Sequence, residues 1–131
     1  MSCGAACWRQ LLRDQGVEID EATLRDEAGY DATCRGILLV VLLDAMRKRS
    51  PSCDYVGGTI DASEVGSVTP PFLVVIKNHY LIVDALDDVT VTLRDPAPAA
   101  VADTCGSEVT MERSAFDRAW RGGIIFSRSK R

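Results

Sequence analysis

The stretch Pro71-Phe72-Leu73-Val74-Val75-Ile76-Lys77-Asn78-His79-Tyr80-Leu81-Ile82-Val83-Asp84-Ala85 decides how this chain folds. It is two runs of β-branched and aromatic residues, each a strand's length, broken by Lys77-Asn78. Such runs predict neighbouring strands, Phe72 to Lys77 and His79 to Ala85. A third run, Val89 to Arg94, follows across Leu86-Asp87-Asp88, and shorter ones lie at Tyr55-Val56 and Ile124 to Ser127. Upstream the texture is different. Cys3, Cys7, Trp8, Leu11 and Leu12 recur at helical spacing and predict a helix from Gly4 to Gln15, ended by Gly16. Asp20 is placed to cap a second helix, Glu21 to Ala28, closed by Gly29. A third should run from Ile37 to Arg49, stopped before Pro51 and buried on most sides. Thr110 to Trp120 reads as a last helix, ended by Gly122-Gly123, and Ala97 to Ser107 as a loop. The expected class is α+β, with helices first and an antiparallel sheet second.

Composition narrows the function. At 131 residues, 47% of them hydrophobic and 26% charged, the chain can bury a core without a metal or disulfide staple. A net charge of -4 disfavours nucleic acid as partner. Arg47-Lys48-Arg49 and Arg128-Ser129-Lys130-Arg131 read as solvated ends of a helix and of the chain. The longest apolar run, Ile37 to Leu43, falls far short of the roughly 20 residues a membrane span needs, and Met1-Ser2-Cys3 does not open a signal peptide. Cysteines at 3, 7, 34, 53 and 105 form no C-x-x-C and, with one histidine, match no zinc spacing. No metal or cofactor is expected. The odd cysteine count points to folding in a reducing environment with at least one free thiol.

Chemistry concentrates on three residues. Cys3 stands at a predicted helix N-terminus, where unpaired N–H groups and the helix dipole stabilise a thiolate. His79, the only histidine, starts a strand, and Asp95 in Leu93-Arg94-Asp95-Pro96 ends one. If Leu86-Asp87-Asp88 is a three-residue connection, Ala85 pairs with Val89 and His79 faces Asp95, close enough for the carboxylate to fix the imidazole tautomer. A two-residue turn would place the two on opposite faces unless a bulge corrected the register. Cys7, Cys34, Cys53 and Cys105 read as inert small hydrophobes.

With these residues in hand, the chain resembles peptidase family C39, the papain-like peptidases of double-glycine leader exporters. Cys3-Gly4-Ala5-Ala6-Cys7 resembles the family's Asp-Cys-Gly-x-x-Cys helix, and Gly36-Ile37-Leu38-Leu39 with Leu42-Leu43-Asp44-Ala45-Met46 its leucine-rich helix. Pro71 to Ile76, His79 to Val83, and Val91-Thr92-Leu93-Arg94-Asp95-Pro96 resemble its central strands. Phe116-Asp117-Arg118-Ala119-Trp120-Arg121-Gly122 is similar to its closing helix.

The resemblance implies a single papain-like domain over residues 1–131, with Cys3 as nucleophile, His79 as base and Asp95 as its orienter, acting on a peptide or protein substrate. The chain departs from the family's pattern in several places, among them Cys34-Arg35-Gly36, which is less polar than the family's usual approach to the leucine-rich helix. Ser2 stands where the family has Asp, and only Met1 and Ser2 precede Cys3, where the family carries an oxyanion glutamine. That role would fall to upstream residues, or to the Cys3 backbone N–H with another group. Two other expectations share the fold. One is a papain-fold toxin domain of a secreted bacterial effector, a protease, deamidase or transferase neutralised by an immunity protein. The other is a non-catalytic domain that only binds peptide.

Overall fold

The computed structural model describes residues 3–28, 39–76, 79–95 and 107–128, with the backbone alone at positions 3, 95 and 107. Its elements are α1 (Cys3–Asp14), α2 (Glu21–Ala28), α3 (Leu39–Arg49), β1 (Tyr55–Thr59), β2 (Phe72–Ile76), β3 (His79–Leu86), β4 (Thr90–Asp95), β5 (Ser107–Glu112), α4 (Arg113–Ala119) and β6 (Gly123–Ser127). The strands form one antiparallel sheet in the order β1-β6-β2-β3-β4-β5. Among the described residues no helix is long and apolar enough to cross a membrane. The expected start of the third helix at Ile37, the stop at Gly29, Lys77, Cys34, Cys105 and residues 97–106 of the predicted loop lie outside the described residues.

Strand alternation sends the apolar side chains of the central strands to two separate cores. Leu73, Tyr80, Ile82 and Ile125 face one side, where Ala5, Trp8 and Leu12 of α1, Leu24 of α2 and Leu42 and Met46 of α3 cover them. Phe72, Val74, Val83, Val91, Leu93 and Ile124 face the other, under Phe116 of α4, Trp120 just past its end and Val65 of a short turn. A strand buried on both faces reads as an unbroken apolar run, which is what β2 and Tyr80 to Val83 of β3 display. The Phe116 and Trp120 rings stack at 5.2 Å, adding aromatic contact to burial beneath α4.

Local chemistry sets the helix ends. The N–H groups of Gly16 and Val17 close on the carbonyls of Arg13 and Leu12, both at 2.9 Å, a Schellman ending for α1. The Asp20 carboxylate accepts from the Thr23 N–H at 2.8 Å and caps α2. Side-chain and backbone hydrogen bonds from Thr23 hold the Asp20 carboxyl below its usual range.

Three expectations need correction. The third helix is buried on one side only, since Val40 is 69% and Val41 40% exposed. Residues 110–112 are strand, not helix: β5 pairs with β4 from Thr90↔Glu112 to Asp95↔Ser107, so β4 gains a second partner where it would otherwise be an edge. The β3–β4 connection is also tighter than expected. The Asp87 N–H donates to the Thr90 carbonyl at 3.0 Å, leaving Asp88-Val89 as a two-residue turn.

The Asp87 carboxylate accepts from the N–H groups of Val89 and Thr90, each at 2.7 Å. These bonds, Thr90's first, lower its pKa below the ordinary aspartate range. A carboxyl whose folded pKa is depressed contributes above its unfolded value near ~3.9 and loses that contribution as pH falls through the folded value. Wild type should therefore exceed Asp87→Asn in Tm at pH 5. The gap should shrink as pH drops toward 2, as followed by circular dichroism melts.

Gly122 turns the chain into β6 at φ +94°, where a Cβ would stand 2.5 Å from the Ile60 carbonyl oxygen. Gly122→Ala combines left-handed strain with that overlap and should cost about 2–4 kcal/mol in urea unfolding.

Candidate active site

Helix α1 lies along β3, its N-terminus over the strand's start. Gly4 is buried so closely against the Tyr80 ring that a Cβ there would stand 3.2 Å from it, and 3.4 Å from Leu42. At the other end of α1, Gln10 and Asp14 meet Arg94, which also binds Asp84 of β3. From Gly4 to Asp14 the helix rises about 15 Å, and from Tyr80 to Asp84 the strand advances about 13 Å, so the two run side by side in the same direction.

Each predicted site residue occupies an element terminus: Cys3 is the first residue of α1, His79 the first of β3 and Asp95 the last of β4. Because β3 and β4 are antiparallel, the start of one and the end of the other lie at the same end of the sheet. It is the end over which α1 begins.

The register between His79 and Asp95 differs from the expected one. Leu86 pairs with Val91 and Ala85 with Thr92; beyond a bulge at Asp84 the pairs become Val83↔Leu93 and Ile82↔Arg94. The two-residue turn would set the strands out of phase, and the extra residue at the bulge restores the phase. Continued by one step, the register sets position 95 across from Leu81, two residues along the strand from His79. The two are therefore diagonal neighbours on one face, a spacing of roughly 7–8 Å between backbones, and not the directly opposed pair expected.

His79 is half-buried, and its backbone pairs with Ile76. By alternation position 79 belongs with Leu81 and Val83, on the α4 side, whereas α1 covers Tyr80 and Ile82. A contact between the α1 terminus and the imidazole has to be made around the end of the sheet. Of the other cysteines, Cys53 is buried, with its thiol 3.5 Å from Gln15 Oε1, and Cys7 is buried within α1.

The residue missed from sequence is Arg94. Its Nε donates to Asp84 Oδ2 at 3.0 Å and one terminal nitrogen to Asp84 Oδ1 at 2.7 Å. The terminal nitrogens also reach Asp14 Oδ2 at 2.9 Å, Asp14 Oδ1 at 3.2 Å and Gln10 Oε1 at 3.3 Å. Every N–H of the guanidinium thus has an oxygen. Burial opposes the charge, but the Asp84 and Asp14 carboxylates outweigh it and raise the guanidinium pKa above its ordinary range. The available signal was a charge interrupting each of two apolar strand runs, Asp84 after Val83 and Arg94 after Leu93.

Three helices on one face of a six-stranded antiparallel sheet, with a cysteine-led helix laid along its central strand, define a papain-like α+β domain. The chain belongs to the peptidase C39 family, a family of cysteine peptidases, whose model matches residues 1–131. A protein of unassigned function from Methanothermobacter thermautotrophicus is 27% identical over 131 residues, an overlap of 95% of this chain and 80% of the relative. The peptidase domain of Streptococcus ComA, a bifunctional ABC transporter of a quorum-sensing pathway, superposes with TM-score 0.75 at 21% identity, covering 95% of this chain and 88% of that one. A double-glycine motif protease from an AMS/PCAT transporter, solved with its leader peptide, gives TM-score 0.78 at 20% identity, covering 95% and 82%.

Gly4→Val would drive methyl groups into the Tyr80 ring and Leu42. It should lower stability by about 1–3 kcal/mol in urea unfolding. In a double-mutant cycle with Tyr80→Leu, the two changes should couple.

Proposed function

We propose that residues 1–131 form a thiol peptidase domain in which Cys3 is the nucleophile, His79 the general base and Asp95 the group that orients it. The observation that carries this reading is the gathering of three element termini at one end of the sheet, with the α1 terminus held beside the start of β3 through Gly4 and Tyr80. Family membership supports it independently.

The chemistry follows from position. The first N–H groups of a helix have no partner within it, so a thiolate at the first residue of α1 is stabilised by those donors and by the helix dipole. His79 is the only imidazole in the chain and so its only histidine candidate for the general base. The Cys3 thiolate attacks the scissile carbonyl carbon, and the Cys3 backbone N–H serves as one donor to the developing oxyanion. The C–N bond then breaks as the imidazolium gives its proton to the leaving amine. Water, deprotonated by neutral His79, opens the thioester, releasing the carboxylate product and the thiol. The orienting role of Asp95 is supported by position 95 being a diagonal neighbour of His79 on the same face of the sheet. The substrate class this reading favours is a peptide with a leader that carries a double-glycine motif, by analogy with the AMS/PCAT protease.

The test is alkylation by iodoacetamide from pH 4 to 9, mapped to each cysteine by peptide mass spectrometry. Cys3 should outpace Cys53 below pH 7 and lose that advantage in His79→Ala. A Cys3 that titrates near ~8.5, with or without His79, would remove the reading. On a leader peptide carrying the double-glycine motif, Cys3→Ala and His79→Ala should each lower kcat by about 10³-fold or more.

A further inference from the structure

Asp14 sits where it does α1 no good. It is the last residue of the helix, at the negative end of the dipole, where a carboxylate is unfavourable. What it gains is Arg94: two hydrogen bonds at 2.9 and 3.2 Å, from a guanidinium that also holds Asp84 by two bonds and Gln10 by one. The Arg94 side chain is only 12% exposed. One largely covered cation therefore fastens the C-terminal end of α1 to both strands of the β3–β4 hairpin, at the bulge that sets the hairpin's register.

The consequence lies at the other end of the helix. A rigid α1 held at Asp14 and at Gly4 cannot slide or roll on β3, and Cys3 lies about 16 Å along the axis from Asp14. Arg94 also immediately precedes Asp95, so the same clamp fixes the backbone that carries the third proposed residue. Released, α1 would keep its apolar contacts with Tyr80 and Ile82, which resist separation far more than sliding.

We infer that Arg94, with Asp14 and Asp84, is a positioning residue for the thiol site: it sets the axial and rotational placement of α1 on the hairpin, and through it the placement of Cys3 relative to His79. This rests on the peptidase reading above. Among the described residues, the hydrogen-bond partners of Arg94 are Asp84, Asp14 and Gln10. Its effect would come from geometry, where a displacement of about 1 Å costs on the order of 10²-fold in rate.

Asp14→Asn is the sharpest probe. It removes the charged link between helix and guanidinium, leaves Arg94 paired to Asp84, and relieves an unfavourable charge at the helix end. A purely structural role predicts little loss. The positioning role predicts that Cys3 alkylation at pH 6 slows about fivefold or more, with its pH profile moved toward alkaline. Arg94→Lys, which keeps the charge but cannot reach all three partners, should slow it further, lowering kcat on the leader peptide about 10-fold or more with KM little changed. Arg113→Leu, which loses bonds to Asp117, Asp87 and Ala62 on the α4 side, serves as a control of comparable burial and should leave the Cys3 profile in place.

A fast wild-type Cys3 whose profile is unmoved in Asp14→Asn and Arg94→Lys overturns the inference and leaves the peptidase reading standing. Equal slowing in all three variants overturns it as well, since that is general loosening. A wild-type Cys3 no faster than Cys53 removes the peptidase reading, and this inference with it.

Discussion

The contact on which the rest of this molecule depends is the seating of α1 along β3. Ala5, Trp8 and Leu12 bury themselves over Tyr80 and Ile82, and neither element presents an alternative apolar face to solvent. Because hydrophobic burial is proportional to area and indifferent to direction, it brings helix and sheet together without specifying where along the strand the helix rests. Two directional features supply that information. At one end Gly4 admits the Tyr80 ring as only a residue without a side chain can, and at the other Arg94 gathers oxygens from the helix and both strands.

The Arg94 cluster also illustrates why a charge belongs inside this domain. A buried guanidinium with a missing partner would be costly, yet with every N–H directed at an oxygen it becomes a directional joint that apolar packing cannot imitate. Asp84 makes the joint possible by being the extra residue of the bulge. The same residue that corrects the register between β3 and β4 receives the cation from β4. Register, helix placement and the position of Asp95 are in that sense one structural decision.

As a C39-family domain, the chain has its helices on one face of the sheet and α4 on the other, so the central strands are covered on both sides and the sheet is free to act as a rigid platform. Rigid platforms suit sites assembled from element ends, since each terminus is fixed by the whole element behind it. Cys3, His79 and Asp95 begin α1, begin β3 and end β4, elements anchored by Trp8, Ile82 and Leu93.

The class of fold, the helices α1, α2 and α3, the strand runs around His79 and the choice of the three candidate residues were all legible in the amino-acid sequence. These signals are local: apolar spacing, caps such as Asp20, and breaks at Gly and Pro. Tertiary structure alone decided three further matters. Residues 107–112 became a strand because β4 needed a partner, a fact invisible in Ser107-Glu108-Val109-Thr110-Met111-Glu112 itself. The hairpin took a two-residue turn with a compensating bulge, because the apolar parity of Val83 and Leu93 and the Asp87 turn could both be satisfied only by one extra residue between them. Arg94 found Asp14 and Gln10 across 80 and 84 positions of chain. Pairing over such separations depends on how helix and sheet are laid against each other, and no local pattern encodes it.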